Sequence, residues 1–170
     1  YGVDGILATI STDSRDRMGA MLSRLVSLRE QSALARRMVA GIHIEGPFIS
    51  PITGYVGAHP REAVVEASLD GAKRLLDAAG GLTRVFTLAP EYDPRMATTR
   101  FLSNEGVAVS AGHCDPTLEM LDEAIENGLS MVTHFGNGCS VDLPRHDIVL
   151  QSFLNFRDYL LFCFIPDWAH

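Results

Sequence analysis

Six short apolar stretches alternate with helical patterns along the whole chain, and this alternation restricts the fold more than any other feature. The stretches cover residues 5–10, 39–45, 83–89, 107–110, 130–133 and 159–165. Each is of strand length, rich in β-branched and aliphatic residues, and bounded by turn formers. Between the first two, Met18, Met21, Leu22, Leu25 and Leu28 recur at helical spacing within residues 14–38. Arg15, Arg17, Arg24 and Arg29 fall mainly off that stripe, as on a solvated face. A second pattern runs over 61–79, divided near Ser68 to Gly71 and stopped by Gly80-Gly81. Asp93-Pro94 and Asp115-Pro116 each set a capping residue before a proline, opening helices that end before Gly106 and at Gly128. A last helix covers about 147–156. Such alternation implies a parallel sheet with helical crossovers. Two α/β architectures satisfy it: an open doubly wound sheet, and a partial (β/α)8 TIM-type barrel with about six of its eight βα units present. No Gly-x-Gly-x-x-Gly follows the first strand, which counts against the dinucleotide-binding version of the former.

Polar residues collect at the C-terminal ends of these strands, where both architectures place their sites. The second strand ends in Glu45, and Gly46-Pro47 then breaks the backbone. The fourth leads through Ser110-Ala111-Gly112 to His113, and the fifth through Thr133 to His134. One carboxylate and two imidazoles at matching strand ends suit zinc or iron(II) with an open position for water. The competing reading is three unrelated strand caps; agreement at three matching ends favours the metal. His43 leaves its strand on the same side as Glu45. It is either another ligand or, the preferred reading, a hydrogen-bonded histidine that supports the ligands. His59, in a loop over the strand-end face, is either simply exposed or placed to polarise a carbonyl. The Asn137 amide suits a sugar hydroxyl or a phosphate. Arg145 is an anion clamp or a surface partner of Asp142 or Asp147. Asp167 and His170 follow the sixth strand onto the same rim.

Composition narrows the function. Hydrophobic residues make up 46% and charged residues 21% of 170, ordinary for a globular domain. The net charge of −7 carries no basic stripe, which argues against nucleic acid as a partner. No run is long enough to span a membrane, and no signal peptide opens the chain. Cys114, Cys139 and Cys163 lack paired spacing, which fits a reducing, cytoplasmic setting. The first two lie close to His113 and His134 in sequence, so a thiolate ligand stays open as an alternative. Lys73 is the only lysine and falls in a helical pattern, which counts against a Schiff-base isomerase or aldolase.

Taken in order, these pieces resemble a known family. Residues 41–48 (Gly-Ile-His-Ile-Glu-Gly-Pro-Phe), Gly57-Ala58-His59, Leu88-Ala89-Pro90-Glu91, Ser110-Ala111-Gly112-His113, Val132-Thr133-His134 with Asn137, and Asp167 with His170 resemble the N-acetylglucosamine-6-phosphate deacetylases of the amidohydrolase superfamily. The resemblance spans nearly the whole chain at compatible spacings. It implies one metal-dependent hydrolase barrel domain over residues 1–170, binding a divalent metal, zinc first and iron(II) second. The implied ligands are Glu45, His113 and His134. Ala58, His59, Asn137, Gly138, Arg145, Asp167 and His170 would contact an amino-sugar phosphate. The implied chemistry is attack by metal-bound hydroxide on the N-acetyl amide, yielding glucosamine 6-phosphate and acetate. The metal and His59 would stabilise the oxyanion. The arginine would reach the phosphate of a neighbouring subunit's substrate, which implies a homodimer.

Several family features differ here. The family's His-x-His strand would precede Tyr1, its acid/base aspartate would follow His170, and its flanking β-domain has no counterpart. Asp167-Trp168-Ala169-His170 replaces Asp-Gly-x-His, and Asn137-Gly138-Cys139 replaces Asn-Ala-Met. The resulting expectation is a barrel truncated at both ends and lacking full activity. Two rivals remain: an amidohydrolase acting on a different amide, and a non-catalytic fragment that binds metal or sugar phosphate.

Overall fold

A computed structural model describes residues 2–140 and 148–165. Strands β1 (Ile6–Ser11), β2 (Val39–Glu45), β3 (Thr83–Leu88), β4 (Ala108–Ala111), β5 (Leu129–Val132) and β6 (Leu161–Phe162) alternate with helices α1 (Arg15–Gln31), α2 (Ala33–Met38), α3 (Leu69–Ala78), α4 (Ala97–Asn104), α5 (Leu118–Glu126) and α6 (Ile148–Asn155). The strands form one sheet in the order β1-β2-β3-β4-β5-β6, every pair parallel. That order separates the two architectures. A doubly wound sheet reverses its strand order at a switch point, whereas a barrel wall adds each strand beside the last. The sheet follows the barrel scheme. No helix among the described residues is long and apolar enough to cross a membrane.

The strand period of two sorts the side chains into layers. On β2, Ile42 and Ile44 are fully buried in the core, while His43 and Glu45 face the other way. The core joins these isoleucines, Phe86, Leu88 and Val109 to Met18 and Leu22 of α1, Leu75 of α3, Leu102 of α4 and Leu121 of α5. Phe48 stacks on Phe86 with ring centroids 5.7 Å apart, fastening the loop after β2 to the wall. On the face opposite this core, Leu7, Thr9, His43, Val85 and Thr133 border a cavity of about 310 Å³. The chain must turn sharply after Glu45. Gly46 sits at φ +79°, and the space a Cβ would need there is taken by Thr12 Oγ1.

Local differences from the sequence expectations have physical causes. The helix expected over 14–38 divides at Ser32, whose backbone is extended and whose hydroxyl accepts the Ala35 N–H. Its apolar stripe is narrower than expected, since Met21 and Leu28 remain exposed. Within 61–79 only α3 is an α-helix. The Val65 N–H donates to the Pro47 carbonyl and the Ala67 N–H to Tyr92, so these donors serve neighbouring loops instead of a helix. Asp93 does cap a helix, accepting the Thr98 and Thr99 N–H groups at 3.0 and 2.7 Å. That helix starts only at Ala97 because Arg95 and Met96 are left-handed. At α5 the cap is Thr117, which accepts the Met120 N–H, not Asp115. β6 holds two residues of the expected 159–165.

Candidate metal centre

The parallel wall brings three strand ends to one rim. Glu45 is the last residue of β2; His113 and His134 each lie two residues beyond β4 and β5. Glu45 Oε1 lies 2.9 Å from His134 Nε2 and 3.3 Å from His113 Nε2, and the two Nε2 atoms are 3.1 Å apart. His59 joins from the loop after β2, its Nε2 3.1 Å from His113 Nε2. The rings of His59 and His113, and of His113 and His134, cross at 79° and 83°, so the nitrogens converge and the faces do not stack. His113 and His134 both adopt positive φ, +52° and +33°, a strained region for a residue with a Cβ and one concentrated at functional sites. Packing holds His113 there: its Nδ1–H donates to the Tyr55 carbonyl at 2.8 Å, and its own carbonyl accepts the Ser50 N–H.

The donor set fits a cation. A carbonyl oxygen can only accept, so the Tyr55 contact places the proton of a neutral His113 on Nδ1. Its Nε2 then presents a bare lone pair toward Glu45 Oε1, His134 Nε2 and His59 Nε2. Acceptors this close repel unless protons or a metal ion lie among them. Four ligands at about 2.0–2.1 Å from one zinc ion stand roughly 3.3 Å from each other, which the observed separations approach. Where protons instead of a metal lie on those Nε2 atoms, burial works to raise the Glu45 carboxyl, but hydrogen bonding and charge from His113 and His134 outweigh it and hold it well below the usual carboxylate range. Burial, reinforced by the neighbouring His113, lowers His59. The outer nitrogen of a ligating histidine usually has a partner. His113 meets that pattern, while His134 Nδ1 is buried with no hydrogen-bond partner among the described residues.

The remaining sequence-selected residues divide. Ala58 and His59 line a cavity of about 380 Å³ in front of the cluster, together with Ser11 and Thr12. Gly138 packs against both histidines; a Cβ there would come 3.0 Å from the His113 backbone nitrogen and 3.2 Å from His134 Cε1. Asn137 is exposed and touches the site through its backbone, donating its N–H to the His134 carbonyl at 2.8 Å. Arg145, Asp167 and His170 lie outside the described residues. His43 takes its hydrogen-bonded reading, with contacts to Thr9 and Thr87. The thiolate alternative gains no support at Cys114, where burial pushes the thiol well up. Cys139 donates to the Gly136 carbonyl. Ser11 and Thr12, which sequence reading did not single out, also reach Glu45. The Thr12 hydroxyl donates to the Glu45 carbonyl at 3.1 Å, and Ser11 makes a long 3.5 Å contact to Oε2. Their signal was the same strand-end position that marked Glu45. The Tyr55 carbonyl, a backbone atom, had none.

No protein-family model matches the chain. It is 35% identical over 141 residues to N-acetylglucosamine-6-phosphate deacetylase of Bacillus subtilis, a match covering 82% of this chain and 35% of the relative. The chain thus spans about a third of that curated relative's length. Among solved structures, the N-acetyl-D-glucosamine-6-phosphate deacetylase of Mycobacterium smegmatis superposes with a TM-score of 0.85 at 26% identity, over 98% of this chain and 42% of that one. A variant of that enzyme was solved in complex with N-acetyl-D-glucosamine-6-phosphate. The corresponding enzyme of Thermotoga maritima gives a TM-score of 0.81 at 25% identity, over 99% of this chain and 44% of that one.

Proposed function

Because this chain is a homologue of the N-acetylglucosamine-6-phosphate deacetylases that covers part of the full-length enzyme, we propose that it carries the metal-ligating part of an amidohydrolase site. The reaction proposed is deacetylation of N-acetylglucosamine 6-phosphate to glucosamine 6-phosphate and acetate. The observation that carries this reading is the convergence of Glu45 Oε1, His113 Nε2 and His134 Nε2 within 3.3 Å of one another.

In this proposal Glu45, His113 and His134 hold one divalent ion, zinc ahead of iron(II). An ion so held acidifies a bound water and polarises an amide carbonyl. The chain's own residues do the rest. Glu45 stays ionised, so it presents a full negative charge to the ion across the working pH range. The Tyr55 carbonyl keeps His113 in the tautomer whose Nε2 can ligate. His59, kept neutral by burial, faces the cavity and donates to the oxygen where charge develops. Ala58 and Gly138 bring backbone close to the substrate. Asn137 binds a sugar hydroxyl. Asp167 and His170 contact the substrate, and Arg145 takes the phosphate of a neighbouring subunit's substrate in a homodimer. A single barrel domain and a cytoplasmic setting belong to the same proposal, the latter supported by three free thiols.

Metal content after desalting, for the chain and for Glu45→Gln, tests the reading. One equivalent of zinc is expected in the former and at least about tenfold weaker retention in the latter. Calorimetry and acetate release with N-acetylglucosamine 6-phosphate, against the unphosphorylated sugar, test the substrate. A chain that takes up no metal at all would refute the site.

A further inference from the structure

One layer beneath the rim, four polar side chains join across four adjacent strands. His43 Nε2 of β2 lies 2.7 Å from Thr87 Oγ1 of β3. Thr87 Oγ1 lies 2.7 Å from the Oγ1 of Thr133, the residue that follows β5. Thr133 Oγ1 lies 2.7 Å from Ser110 Oγ of β4. At the other end His43 Nδ1 meets Thr9 of β1 at 3.2 Å. Thr87 and Ser110 are fully buried. The three strand ends with a ligand candidate each contribute one member: His43 two residues before Glu45, Ser110 three before His113, and Thr133 directly before His134. Thr87 bridges them from the strand between.

A buried polar array is no more stabilising than well-packed apolar side chains of the same volume, so stability alone does not account for it. Geometry offers a reason. The backbone ladder sets strand spacing, but it does not set the tilt of side chains at the strand tips. Those tips bear acceptors that repel one another until a cation arrives. A hydrogen-bonded tie just below them opposes the repulsion and pre-forms the cluster. An imidazole suits the end of this array. Each hydroxyl donates one proton and can accept two, so the row can run in either sense or converge on Thr133. His43 can end that row as donor or acceptor while Thr9 takes the complementary role.

We infer that His43 is a positioning residue for the metal centre, acting through Thr87, Thr133 and Ser110 to hold Glu45, His113 and His134 in convergence. The inference rests on the metal reading proposed above and deepens it. Cobalt(II) alone is the probe, since it reports both affinity, by competition with a chelator, and ligand geometry, by its visible absorption. In His43→Leu the dissociation constant should rise about 10- to 100-fold and the absorption should change. His43→Gln offers both a donor and an acceptor and should recover affinity to within about threefold. Thr87→Val, which nearly preserves volume, should weaken binding in the same sense, and it carries the test if the leucine variant fails to fold. Circular dichroism checks that each variant is folded. A merely structural role would lower thermal stability and leave the cobalt spectrum unmoved. Unchanged affinity and spectrum in the folded variants would overturn this inference alone. A wild-type chain that takes up no cobalt would overturn the metal reading with it.

Discussion

Glu91 lies in the turn Pro90–Tyr92 after β3, and its carboxyl is mostly withdrawn from water. Oε1 accepts the Asp115 N–H at 2.6 Å, while Oε2 is buried with no hydrogen-bond partner among the described residues. Burial pushes this carboxyl up from an ordinary 4.5 to about 7. The Asp115 charge adds to the rise, and the backbone N–H contacts oppose it. The sign of the consequence follows from proton counting. Between pH 4.5 and 7 the folded chain keeps a proton that the unfolded chain has lost. Stability from this group is therefore fully present below the lower value and declines as pH rises toward the upper one. At about 1.4 kcal/mol per pH unit, the loss approaches about 3 kcal/mol. Glu91→Gln keeps an acceptor for Asp115 and removes the titration. Urea unfolding of both proteins, freed of metal and followed by circular dichroism from about pH 4.5 to 8, isolates the term by difference. The glutamine variant should gain on the wild type by up to about 3 kcal/mol across that window. A difference that stays flat to within about 0.5 kcal/mol would show that Glu91 is solvated in solution and that the burial argument is wrong.

Gly138→Ala should lower metal affinity with little loss of thermal stability, because the added methyl presses on the His113 backbone and the His134 ring rather than on the core. Chelator competition beside a thermal melt checks this, and equal affinity would place the 136–139 turn farther from the histidines. Asp93→Ala removes a buried carboxylate that accepts two N–H groups at the start of α4. The cost should be about 2–3 kcal/mol in denaturant unfolding, because charged caps outweigh neutral ones.

The elements were legible wherever the information is local. Six strand patterns and their intervening helices show as changes of hydrophobic period, and Asp93 shows as a cap by its residue type. Legibility failed where distant backbone intervened. Residues 64–68 carry a helix-compatible pattern, yet the Val65 and Ala67 N–H groups are taken by Pro47 and Tyr92, loops that sequence does not place beside them. At the site, Glu45, His113 and His134 stood out because a buried strand has no packing reason to end in an ionisable group. Thr87 and Thr133 did not, since threonine in a strand is ordinary β-branched filling.

Sequence alone determined the alternation of strand and helix and the three strand tips with metal-ligand chemistry, because a run of a few residues encodes both. It left open whether the strands add in order or reverse, since either winding satisfies the same pattern. Tertiary structure decided that, through pairings between strands about twenty to forty residues apart. It also brought His59 to His113 and tied His43 to Thr87, contacts across 54 and 44 residues that exist only once the strands have paired and the loop after β2 has folded over their ends.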